Sequence, residues 1–258
     1  MERITVLGLG RMGAAMARRF ADQGWDVGGW TRSGGTVEGI ASYDTAADAV
    51  RDADAVVLSL FDGAACRDVL DAIEGALPDS TPVVNTSTVG PDEAADLAER
   101  IGGRYVHAPV LGSVPAVEAG TLNVLAAGAT DQVRDLLTVL GNVRVLGDAR
   151  AAAAQKLVVN ASLAGSLVLV GEIVGQAEAL GISRKDALDV LSAGPLGGII
   201  STKRKNIDDP DAPVQFSIGG LAKDIGLLES ATGRTLTFGD ALRSAGDLDG
   251  DITDVTRP

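Results

Sequence analysis

Residues 4–146 keep one rhythm, in which short, nearly unbroken apolar runs are separated by helix-compatible stretches. Runs at 4–7, 25–30, 55–60, 82–85, 104–107, 122–126 and 143–146 read as strands. Helices are expected over 12–23, 64–73, 91–101 and 132–140. Strands that lack apolar–polar alternation are buried on both faces, which is the pattern of a parallel sheet covered by helices. After Gly147 the rhythm stops. Residues 151–180 read as a single long helix opened by an alanine run, a second helix runs to Leu191 behind an N-cap at Ser183, and others are expected over 218–231 and 238–245. Residues 194–198 and 206–213 read as breakers. The tail 246–258, with Asp247, Asp249, Asp251 and Asp254 and few apolar residues, reads as a solvated, loosely ordered end; its aspartates lack the spacing of a calcium loop. The fold class is therefore α/β, with a nucleotide-binding sheet domain over 1–150 and an all-helical domain over 151–258.

The most specific local motif is Gly8-Leu9-Gly10-Arg11-Met12-Gly13, which follows the first strand directly and opens a helix. In that setting Gly8 serves a tight turn, Gly10 leaves room for a pyrophosphate, and Gly13 lets the helix pack closely on the sheet. This is the fingerprint of a Rossmann dinucleotide-binding domain. A site selecting NAD(H) usually carries a carboxylate at the end of the second strand. Here that end reads Thr31-Arg32-Ser33, a cation flanked by two hydroxyls, which favours NADP(H) over NAD(H). Leu60 and Phe61, at the end of the 55–60 strand, complete the expected cofactor set together with Thr88.

Composition removes other classes. A formal charge of −13 offers no general field for a nucleic acid or an anionic membrane. The single histidine, His107, cannot build a histidine metal cluster, so no metal site is expected, and the single cysteine, Cys66, suits a reducing compartment. With a strand beginning close to Met1 and no signal-like apolar region there, a cytoplasmic location is expected. Residues 157–171 are uncharged but short for a membrane span and read as a buried helix. Gly165, Gly171 and Gly175 within that helix imply close packing or an overlooked boundary.

Several further motifs occur in order: Asn85-Thr86-Ser87-Thr88, then His107-Ala108-Pro109-Val110-Leu111-Gly112-Ser113, then Lys156 with Asn160, then Lys223-Asp224. With the glycine fingerprint they resemble the β-hydroxyacid dehydrogenase family, which includes 3-hydroxyisobutyrate dehydrogenases and semialdehyde reductases and has imine reductases as relatives. The resemblance spans approximately residues 3–235. It implies an NADPH-dependent oxidoreductase acting between a small β-hydroxyacid and its aldehyde or keto-acid counterpart, working as a homodimer. Lys156 is then the catalytic group, and Ser87, Thr88, Leu111, Gly112, Ser113, Asn160 and Lys223 bind substrate. An ammonium near a carbonyl oxygen stabilises or protonates the negative charge that hydride addition creates there. Asn160, four residues on, shares a helix face with Lys156. Asp224 reads as a structural partner.

The chain also departs from the family pattern. Leu111 stands where serine is usual, and His107 where an acid is common. Residues 151–154 are alanines where glycines are frequent, Val159 replaces an asparagine, and the last helix looks eroded. Leu111 keeps imine reduction open as an alternative. The altered loop and short end keep open a third reading, a dinucleotide-binding protein without turnover.

Overall fold

The computed structural model describes residues 2–257; Met1 and Pro258 lie outside the described residues. The chain divides into two compact units, one ending at Lys156 and one beginning at Leu157.

In the first unit, β1 (Arg3–Leu7) leads into α1 (Arg11–Asp22), followed by β2 (Asp26–Trp30), the short β3 (Ala41–Ser42), α2 (Ala46–Val50), β4 (Ala55–Leu58) and α3 (Gly63–Ile73). Next come β5 (Val83–Asn85), α4 (Pro91–Ile101), β6 (Tyr105–His107), β7 (Val110–Leu111), α5 (Val114–Ala119), β8 (Leu122–Gly128), α6 (Arg134–Leu140) and β9 (Gly141–Val145). The sheet runs β3-β2-β1-β4-β5-β6-β8-β7, with β9 on the other edge of β8. All pairings from β3 to β6 are parallel, which is the nucleotide-binding half of the expected fold. The all-parallel expectation fails beyond that point. β8 runs antiparallel to both β6 and β7, which share one of its edges, and parallel to β9. The turn through Ala108 and Pro109 is too short for a crossover helix, and β7 continues along the edge of β8 that β6 begins. Two buried clusters cover the two faces. Met16, Phe20, Leu136 and Leu140 seal one, and Val50, Leu70, Ile73 and Leu97 seal the other.

α7 (Ala149–Ala179) is a single helix of 31 residues, and the boundary between the units falls within it. The second unit continues with α8 (Arg184–Ser192), α9 (Gly197–Asp208), α10 (Ile218–Thr232) and α11 (Gly239–Arg243). Ser183 caps α8, accepting the Asp186 N–H at 3.1 Å. α9 is a correction, since both of its ends lie in stretches that read as breakers. Gly197 opens it, and Ile200, Asn206 and Ile207 are buried, so tertiary packing outweighs the weak propensity of a Gly-Gly start.

α7 is long and apolar enough by length and composition to cross a bilayer, contrary to the short span read from 157–171. Its Ala164, Leu167, Val170 and Val174 are buried against the other helices of the second unit, while Val158, Val159, Leu169 and Ile173 are exposed. Two of its glycines sit at close approaches: a Cβ at Gly171 would lie 2.6 Å from the Val255 carbonyl oxygen, which excludes one, and a Cβ at Gly165 would lie 3.0 Å from the Phe238 ring, which would have to shift. Gly175 meets nothing.

The expectation of a solvated end holds for residues 246–249, which are exposed, and fails for the residues that follow. Ile252, Thr253 and Thr256 are fully buried in a short 3-10 turn (Ile252–Thr256), and Asp251 is nearly so. Asp251 Oδ2 accepts the N–H groups of Gln215 and Phe216 at 2.8 and 3.3 Å, while Oδ1 accepts the Thr253 N–H and hydroxyl at 3.0 and 2.8 Å. Arg184 donates to the carbonyl and hydroxyl of Thr256. The aspartate that made the tail look solvent-seeking is its anchor.

Candidate active site

The β1–α1 turn puts the glycine motif into physical form. Gly8 adopts φ +103°, and a Cβ there would lie 2.3 Å from the Ser59 carbonyl oxygen, so only glycine fits. At Gly13 a Cβ would fall 1.9 Å from the Gly8 oxygen, which is the close helix–turn contact the motif requires. Gly10 is the N-cap of α1, is exposed, and meets no protein atom within 4 Å. Among the described residues no side chain caps this helix end. An open face above uncapped amides fits a dinucleotide pyrophosphate, which those N–H groups and the helix dipole would hold. Leu9 and Met12 are half-buried against the sheet core, whereas Arg11 is exposed.

At the end of β2, Thr31 is half-buried and Arg32 and Ser33 are exposed. Arg32 pairs with Asp68 of α3 at 3.1 Å, and the two side chains are 70% and 63% exposed. A pair this open is worth about 0–1 kcal/mol and leaves the guanidinium available for exchange onto a stronger anion.

The ends of β4 and β5 are tied together. Ser87 is buried and Thr88 half-buried, and the Ser87 hydroxyl accepts the Leu60 N–H at 2.9 Å. Leu60 packs on the sheet core while Phe61 is exposed. Capping of α4 is not the role of Ser87 or Thr88: Gly90 is the N-cap, and Glu93 reaches back to accept the Gly90 N–H at 2.9 Å. Leu111 ends β7, half-buried. Gly112 adopts φ +131° with no room for a Cβ beside Leu122, and Ser113 is the N-cap of α5. Lys156 is half-buried on α7.

In the second unit Asn160 is buried and donates from Nδ2 to Asp224 Oδ2 at 2.5 Å, across 64 residues of sequence. The other oxygen of Asp224 pairs with Lys223 Nζ at 2.8 Å. One buried carboxylate thus links Asn160 and Lys223. The sequence offered no signal for this beyond the adjacency of Lys223 and Asp224.

His107 is fully buried at the end of β6, and burial pushes its pKa down to about 3. Its Nδ1 meets the Tyr105 hydroxyl at 3.2 Å, and that hydroxyl accepts from Asn85 Nδ2 at 3.1 Å. Asn85 heads one of the sequence motifs, and Tyr105 belongs to none of them. The one available signal was that 82–85 and 104–107 each end on a polar residue; the register pairs Asn85 with His107. Among the described residues no group of three or more His, Cys, Asp or Glu could hold a metal ion.

A parallel sheet, a glycine turn built for close backbone approach and an uncapped helix end define a dinucleotide-binding α/β protein. Residues 3–147 match the NAD binding domain of 6-phosphogluconate dehydrogenase. The chain is 30% identical, over 93% of its length and 89% of the relative's, to a probable 3-hydroxyisobutyrate dehydrogenase of Mycobacterium tuberculosis. The structure of a Mycobacterium tuberculosis 3-hydroxyisobutyrate dehydrogenase with L-serine superposes with a TM-score of 0.82 at 28% identity, covering 99% of this chain and 98% of that one. A Streptomyces aurantiacus imine reductase superposes with a TM-score of 0.66 at 25% identity, covering 98% of each chain. The chain belongs to the β-hydroxyacid dehydrogenase family of NAD(P)-dependent oxidoreductases.

Proposed function

We propose that this chain is an NADPH-dependent reductase of a small aldehyde or keto acid carrying a carboxylate, or in reverse a β-hydroxyacid dehydrogenase, acting in the cytoplasm as a homodimer. The observation that carries the substrate side is the meeting of Asn160 and Lys223 at one buried carboxylate, since family resemblance assigns both to substrate. Exposed Val158, Val159, Leu169 and Ile173 on α7 support pairing with a second copy.

When bound, the nicotinamide supplies or accepts the hydride. Gly8 to Gly13 would hold the pyrophosphate, Thr31, Arg32 and Ser33 the 2′-phosphate, and Leu60, Phe61 and Thr88 would complete the cofactor site. Lys156 Nζ hydrogen-bonds the carbonyl oxygen and, as negative charge grows there, transfers a proton to it; in the reverse direction the neutral amine accepts the hydroxyl proton. Lys223 pairs with the substrate carboxylate, and Ser87, the Gly112 backbone and Ser113 are the substrate-binding groups of the first unit. Asn160, fixed by Asp224, orients the substrate oxygen. Leu111 adds an apolar wall, which favours a second reading, imine reduction.

The test monitors NADPH oxidation against glyoxylate, succinic semialdehyde, tartronate semialdehyde, methylmalonate semialdehyde and a cyclic imine. Lys156→Ala is expected to lose about 100-fold or more on the best carbonyl substrate. Near-normal turnover of that variant removes Lys156 from the role, turnover confined to the imine supports the second reading, and tight NADPH binding without turnover supports a non-catalytic protein. Arg32→Ala is expected to weaken NADPH while sparing NADH; equal effects refute phosphate recognition by Arg32.

A further inference from the structure

We infer that Asn85 is a positioning residue whose buried carboxamide sets the paired loops at the ends of β4 and β5. This rests on the reading of those strand ends as the dinucleotide and substrate face. The hydrogen bonds form one continuous chain. Asn85 Oδ1 accepts the Ser87 N–H at 2.9 Å, and the Ser87 hydroxyl accepts the Leu60 N–H at 2.9 Å. Leu60 and Ser59 in turn confine the glycine turn, since both stand within 2.9 Å of where a Gly8 Cβ would lie. Behind Asn85, its Nδ2 donates to the Tyr105 hydroxyl, which meets His107 Nδ1.

Because Oδ1 accepts the Ser87 amide, Nδ2 faces Tyr105, and the Tyr105 oxygen accepts from it. The same hydroxyl meets His107 Nδ1, and the other ring nitrogen is Nε2. That nitrogen is buried and has no partner among the described residues. An unpaired buried polar atom is a cost borne by the fold, and here it terminates a relay whose other end fixes the loops. Flipping the Asn85 amide would place Nδ2 against the Ser87 N–H, donor against donor. Cys66 lines the same cavity, with Sγ 3.6 Å from Asn85 Nδ2. Within this network Asn85 hydrogen-bonds both the loop, at Ser87, and the deep side, at Tyr105.

Asn85→Leu keeps the branched shape at a larger volume and removes the hydrogen bonds to Ser87 and Tyr105. Asn85→Asp keeps an acceptor for Ser87 and can take the Tyr105 proton. Amide hydrogen exchange of the folded full chain reads positioning directly, without reference to turnover. In Asn85→Leu, protection at Leu60 and Ser87 is expected to fall about tenfold or more, the scale of one lost buried hydrogen bond. Protection at Val57 and Val84 within the strands is expected to stay unchanged. Asn85→Asp should restore both loop amides. With the best substrate, Asn85→Leu should lower kcat more than it raises KM for NADPH, again rescued by Asp. Unchanged protection at Leu60 in Asn85→Leu overturns the proposal, as does failure of Asp to rescue. If Asn85→Leu does not fold, Tyr105→Phe takes its place and must reduce the same two protections. Absence of turnover in the unmodified chain would count against the reductase reading only, because the exchange result stands apart from it.

Discussion

Removal of the Asp251 carboxylate should destabilise the second unit out of proportion to its position near the chain end. In Asp251→Ala three backbone N–H groups, those of Gln215, Phe216 and Thr253, lose their acceptor, and the Thr253 hydroxyl loses its own. Each dry, unpaired donor costs about 1–3 kcal/mol. Gln215 and Phe216 are half-buried and regain part of this from water, whereas Thr253 is fully buried. The sum is about 3–5 kcal/mol, a fall in Tm of at least about 6 °C for the transition that includes this unit. Asp251→Asn keeps an acceptor for one pair of donors and turns an NH₂ on the other pair, so it should fall between. Asp249→Ala, exposed and two residues away, should stay within about 0.5 kcal/mol. Thermal and urea unfolding followed by circular dichroism measure all three. If Asp251→Ala melts within 2 °C of the unmodified chain (about 0.5–1 kcal/mol), the tail is no anchor.

Gly13→Ala, whose Cβ would press on the Gly8 oxygen, should cost about 1–3 kcal/mol of stability together with dinucleotide affinity, whereas Gly10→Ala, facing open space, should fold nearly normally yet bind NADPH at least about tenfold more weakly. Melting curves and fluorescence titration separate the two effects, and unimpaired binding by Gly10→Ala would contradict the pyrophosphate assignment. For His107 the folded pKa lies below the unfolded one, so the unfolded chain binds the extra proton first. Its contribution to stability is complete above pH ~6.5, declines as pH falls, and is fully lost near pH 3; by pH 5 the loss is about 2 kcal/mol. Tyr105 and Cys66, both pushed up by burial, stay neutral throughout that range. Urea unfolding of His107→Gln should therefore decline less between pH 7 and pH 5 than that of the unmodified chain, and parallel curves would refute the buried neutral histidine.

The strand–turn–helix start and the parallel core were legible because their causes are local: continuous apolar runs, a glycine wherever backbone meets backbone, and a cap at Ser183. The antiparallel turn at β8, helix α9 and the docked tail were not, since each depends on a partner distant in sequence. Pro109 and Gly197 look like interruptions until the β8 edge and the α8–α9 packing are present. Asp251 looks solvent-seeking until Gln215 and Phe216 present their amides to it. The same division runs through the site. Residue order alone specified where a dinucleotide phosphate would meet the backbone, because a steric requirement for glycine is written directly in the sequence. Only the tertiary structure joined Asn160 to Lys223 through Asp224, and Ser87 to Tyr105 and His107 through Asn85, because a hydrogen bond between distant side chains leaves no periodicity in the chain that makes it.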